Sequence, residues 1–102
     1  MKGFMYQVVL SPDEGGAWQV SVPDLPGCLT CGDSREEALL MVADAMRTYV
    51  AALLADKRPI PESTTRPCPP GAQDCMVFFE TNAEYLTENA PAGAAQQQTA
   101  LA

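Results

Sequence analysis

The sequence predicts an α+β domain of order β-β-β-α-β, a four-stranded mixed sheet with one helix on one face. Three observations predict it. Two segments around a glycine-rich turn alternate apolar and polar residues. A long stretch then repeats apolar residues at helical spacing. Beyond a proline-rich connection comes one more apolar run of strand length.

In the first segment, Phe4, Tyr6, Val8 and Leu10 share a face, with Met5, Gln7 and Val9 opposite. Ser11-Pro12-Asp13-Glu14-Gly15-Gly16 is a turn by composition. Ala17 to Val22 then alternates, with Trp18, Val20 and Val22 facing one way. The two form an antiparallel hairpin with one buried face. Pro23 to Gly27 interrupts the pairing, and Cys28 to Cys31 forms a short third strand. Ser34 with Glu37, or Asp33 with Glu36, fits a capping box at a helix start. From Ser34 to Ala55, the residues Leu39, Val42, Ala43, Met46, Val50, Leu53 and Leu54 make one broad stripe, with Glu37, Asp44 and Thr48 opposite. Pro59, Pro61, Pro67, Pro69 and Pro70 mark residues 57–74 as an extended connection. Cys75 to Glu80 is the fourth strand, and right-handed crossover logic places it parallel to the first. The domain is expected over residues 1–80, with 81–102 a short polar extension and a disordered tail rich in Ala and Gln.

Charge narrows the function. The formal net charge is −7, and the six basic residues end at Arg66. Nucleic-acid affinity comes mostly from neutralising phosphates, so this chain alone is not expected to bind DNA or RNA. It should instead attract basic partners. The sequence has no histidine, which removes the commonest general base and metal ligand together. No uninterrupted run of about 20 apolar residues is present, and the N-terminus has no apolar leader, so no membrane span is expected and a cytoplasmic protein is. One helix covers one sheet face. The apolar residues on the other call for a second copy or a partner, so a homo-oligomer is expected.

Cysteine spacing does not make a metal site. Cys28 and Cys31 lie three apart on a strand, which points their thiols to opposite faces, and Cys68 and Cys75 are too far apart for a knuckle. The carboxylates Asp13, Asp24, Asp33, Asp44 and Glu80 fall in turns, on the helix and at the strand end. They do not converge from adjacent strand centres, as two-metal nucleases require. No catalytic residue, metal or cofactor is assigned.

A combination of motifs points further. Gly15-Gly16-Ala17-Trp18 is followed by Val20-Ser21-Val22-Pro23-Asp24-Leu25-Pro26-Gly27-Cys28. Gly32-Asp33-Ser34 then precedes Glu36-Glu37-Ala38, and Arg58-Pro59-Ile60-Pro61-Glu62 follows the helix. Over residues 4–62 this resembles the N-terminal domain of HicB-family antitoxins. The resemblance implies a partial RNase H-like fold and an antitoxin of a type II toxin–antitoxin system, with no enzymatic activity. It would bind and inhibit a HicA-like mRNA interferase toxin. A stand-alone oligomeric HicB-like scaffold or regulatory module is the alternative. Many family members add a DNA-binding module, and residues 81–102, without Lys or Arg, depart from that pattern. Trp18, Asp24, Glu36, Glu37 and Asp44 are the candidate partner-binding residues. For Pro23 to Cys28 a purely structural role, with Asp24 accepting turn N–H groups, stands beside partner contact. Glu36, Glu37 and Asp44 read equally as a solvated helix face.

Overall fold

The computed structural model describes residues 1–88, so the expected tail at 91–102 lies outside the described residues. The chain runs β1 (Lys2–Pro12), β2 (Trp18–Ser21), β3 (Leu29–Gly32), α1 (Arg35–Ala55), β4 (Gln73–Thr81) and α2 (Tyr85–Glu88). The four strands form one sheet in the order β3-β2-β1-β4. The expected α+β order is present, and α2, a single turn against α1, is an addition.

The β1–β2 hairpin closes on Asp13. Its Oδ1 accepts the N–H groups of Gly15 and Ala17, and Gly16 takes a positive φ of 91°. In register, Leu10 faces Val20, and Phe4, Tyr6 and Val8 face Phe79, Val77 and Cys75. Paired residues share a face, so this alternation aims Tyr6, Val8, Leu10, Val20 and Phe79 at one core. Phe4 and Tyr6 both stack on Phe79, at centroid distances of 5.7 and 6.2 Å.

The helix starts where its cap chemistry says. Ser34 has extended backbone, its Oγ accepts the Glu37 N–H at 3.0 Å, and Glu37 Oε1 reaches back to the Asp33 N–H. The core face is Ala38, Val42, Met46 and Val50, all fully buried against the sheet. By length and apolarity α1 would suffice to cross a bilayer, contrary to the sequence expectation; part of that apolarity is in the core, and Leu40 and Met41 are exposed. Its C-terminus is a Schellman motif: Lys57 N–H bonds Leu54 O and Arg58 N–H bonds Leu53 O. Lys57 holds the left-handed position, φ 56°, where glycine is usual.

The fourth strand corrects the mixed-sheet expectation. It pairs antiparallel to β1 from Lys2↔Thr81 to Leu10↔Gln73, so the sheet is antiparallel throughout. The reason is the connection. A helix feeding straight into the next strand would give a parallel pair, but residues 56–72 first run back along the molecule. Arg35, at the start of α1, therefore hydrogen-bonds Gln73, at the start of β4, at 2.7 Å. Ile60 packs on the helix-side core, whereas Arg66 meets Gln7 on the opposite face. The connection therefore crosses the sheet plane beyond the end of β2, and it covers part of the face the helix leaves open.

Strand and helix meet most closely at Gly32. A Cβ there would sit 2.5 Å from the Ala38 nitrogen and 2.9 Å from its Cα, both rigid helix backbone. Gly32→Ala is expected to destabilise the fold by about 1–3 kcal/mol through overpacking. Urea unfolding checks it, and an unchanged midpoint would show that the strand–helix spacing adjusts freely.

Candidate interaction surfaces

The Pro23–Cys28 segment folds as compact successive turns. Leu25 N–H bonds Val22 O, Cys28 N–H bonds Leu25 O, and Val22 N–H bonds Cys28 O. Gly27 takes φ 85°, and the Tyr49 hydroxyl donates to Pro26 O at 2.8 Å, tying the turn to α1. Leu25 and Cys28 enter the core, and burial pushes the Cys28 thiol pKa up. Cys31 is exposed, paired with Gln19 on the other sheet face, as the odd spacing implied.

Asp24 does not serve its own turn. Its side chain is only 4% exposed and accepts three hydrogen bonds from the connection. These come from Thr64 N–H at 2.7 Å, Thr64 Oγ1 at 2.7 Å and Arg66 Nη2 at 3.0 Å. Burial alone would raise the Asp24 pKa, but the Thr64 hydrogen bonds and the Arg66 charge outweigh it and hold the carboxyl below its ordinary value. Alongside, the Gln7 side-chain amide pairs with the Arg66 backbone in both directions. Its Nε2 donates to Arg66 O at 2.9 Å, and its Oε1 accepts Arg66 N–H at 2.8 Å. Gln7 Nε2 also donates to Asp74 Oδ2. Sequence reasoning missed Thr64, Arg66 and Gln7 as a group. A polar Gln in the middle of an otherwise apolar β1 was the available signal.

The remaining candidates spread over the surface. Trp18 is half-buried, packs on the core and pairs with Gly32 near the start of α1; Asp24 lies at the other end of β2. Glu36 is exposed, Glu37 is engaged in the cap, and Asp44 is exposed and paired with Arg47 at 2.8 Å. The structure does not gather all five into one site.

Two apolar areas are exposed instead. On the open sheet face lie Met5, Met76 and Phe78, the last 58% exposed. Beside β3 lies an open groove of about 440 Å³, lined by Leu29, Met41, Asp44, Ala45, Thr48 and Tyr49 among others. Leu40, 71% exposed, stands on the adjoining helix surface. Leu40 and Met41 fall outside the core stripe read from the sequence, which was the signal for them. Among the described residues, no group of three or more His, Cys, Asp or Glu is arranged to hold a metal.

A family model described as HicB_like antitoxin of bacterial toxin-antitoxin system matches residues 6–67. "Antitoxin HicB 2" of Photorhabdus laumondii is 45% identical over 65 residues, which are 64% of this chain and 46% of that protein. "UPF0150 protein Ta0767" of Thermoplasma acidophilum is 41% identical over 56 residues, 55% of this chain and 81% of that one. Among solved structures, a toxin–antitoxin complex from Streptococcus pneumoniae contains a chain that superposes with TM-score 0.72. The identity is 19%, covering 88% of this chain and 77% of that one. The N-terminal domain of Burkholderia pseudomallei antitoxin HicB superposes with TM-score 0.58 at 21% identity, covering 72% of this chain and 95% of that one. These structural likenesses establish the fold.

A depressed carboxyl pKa stabilises the fold above the unfolded value of about 3.9, and that stability is lost as pH falls through the folded pKa. Asp24→Asn puts an amide against N–H and guanidinium donors, and should cost about 1–3 kcal/mol at pH 7. The gap to the original protein should close as the pH is lowered below about 4. Urea titrations at neutral and acid pH measure it; a gap that stays constant with pH would show the ionised carboxylate to be irrelevant.

Proposed function

Because this chain belongs to the HicB-like antitoxin family of bacterial toxin–antitoxin systems, we propose that it is the antitoxin of a type II pair, which acts by binding and covering a HicA-like mRNA interferase toxin. The family match across residues 6–67 carries the reading, since it spans both the hairpin and the whole of α1. The resemblance of the fold to chains in toxin–antitoxin complexes supports it.

Charge supports it independently. An RNase acting on mRNA needs a cationic surface, and a protein of net charge −7 is attracted to that surface over long range. Antitoxin action on this account is steric and electrostatic. The bound chain occupies the cationic surface that RNA would use, and no covalent step is required. Association should be faster at low ionic strength, because salt screens the long-range attraction.

The same reading places the chain in the cytoplasm, in keeping with four unpaired cysteines. It also gives the chain no catalytic role. Self-association is a separate part of the proposal, supported by the exposed patch of Met5, Met76 and Phe78.

The test is growth of cells in which a candidate HicA-type protein, drawn from the genes beside this chain's own, is induced with and without co-expression. The chain is expected to restore growth and to co-purify with the toxin. Persistent toxicity with both proteins soluble and abundant would reject the antitoxin reading in favour of a stand-alone module.

A further inference from the structure

Resting on that reading, we propose that the partner docks in the groove between β3 and α1, presenting a cationic segment with an apolar side chain that enters it. The groove combines the two features such a segment needs. Its floor is apolar, formed by Met41, Ala45 and Tyr49, with Met41 45% exposed; Leu29, 66% exposed, borders it from the β3 edge, since its register with Ser21 sets it on the sheet face of Cys31. Exposed apolar area of this kind is stabilised by leaving water, and large side chains seated in a pocket dominate interface energies.

The second feature is charge. Met41, Asp44 and Thr48 follow at intervals of three and four along α1, so they form one stripe, and all three line the groove. The stripe sets the Asp44 carboxylate beside Met41, and Glu37, one turn earlier and held in the helix cap, prolongs it. Of the two cations of α1, Arg35 is tied to Gln73 on β4, while Arg47 pairs with Asp44 at 2.8 Å on the groove's rim and also lines a separate hollow with Met1, Glu80 and Tyr85. Asp33, at the junction of β3 and α1, adds a further exposed carboxylate.

The Asp44–Arg47 contact does not withhold Asp44 from a partner. It is an exposed pair of the kind worth at most about 1 kcal/mol, and the Asp44 side chain is 71% exposed within it. The groove thus fits a cationic protein segment better than a second copy of this chain, which would bring like charge to like. The open sheet face is less one-sided, because Asp74 accepts from Gln7 and the Arg66 guanidinium is bound nearby.

The test measures binding of that candidate HicA-type protein to the full chain and to two matched variants. One is Met41→Lys with Asp44→Lys in the groove; the other is Met76→Lys with Glu80→Lys on the open sheet face. All four positions are exposed, so both variants should retain the thermal midpoint of the original. The groove variant is expected to bind about tenfold or more weakly, and the sheet-face variant within about twofold. Hydrogen exchange on the unmodified complex supplies a check that needs no variant, with protection expected at residues 27–30 and 41–49. Loss confined to the sheet-face variant, equal loss in both, or loss in neither would overturn the groove while leaving the antitoxin reading intact. Failure of the unmodified chain to bind would reject that reading, and the groove with it.

Discussion

The buried carboxylate of Asp24 holds the molecule's least regular segment in place. Three donors from Thr64 and Arg66 converge on it, and the Gln7 amide pairs with the Arg66 backbone one strand away. A connection from residue 56 to 72 without helix or strand would ordinarily cost entropy to order. Here its prolines reduce that cost in the unfolded chain. The hydrogen bonds then fix where it crosses the sheet plane. Everything downstream inherits that crossing, including the direction of β4 and the stretch of open face that the chain covers for itself.

Much of this fold was legible in the sequence, for local reasons. The hairpin follows from alternation around Asp13 to Gly16, and the helix from its stripe and from Ser34 and Glu37, all interactions within a few residues. The direction of β4 was not legible. Crossover logic assumes that a helix hands the chain directly to the next strand, and it has no view of a connection bonded to Asp24, some 40 residues earlier. The role of Asp24 was hidden for the same reason. Its sequence neighbours suggest a turn acceptor, while its partners are distant in sequence.

Among the candidate contact residues, the structure separates two kinds. Asp24 and Glu37 have internal duties, in the connection and in the helix cap. Asp44 and Glu36 are exposed on different sides of α1. Net charge suggested a basic partner, yet it could not say which surface is anionic. That came from the groove lining, where Asp44 is the charged residue, with Arg47 beside it in an exposed pair and Arg35 held against β4.

Asp24 sets the course of the chain only if residues 58–72 are a fixed part of the fold and not a linker. Native-state hydrogen exchange of the Thr64 and Arg66 amides tests this most directly. Both lie outside any helix or strand, yet each donates to a side chain that is itself buried, Asp24 and Gln7. They should be protected nearly as well as amides in the centre of β1, opening only with the fold as a whole. Exchange at the rate of an unstructured peptide would show that the connection is loose, and that Asp24 does not set the course of the chain.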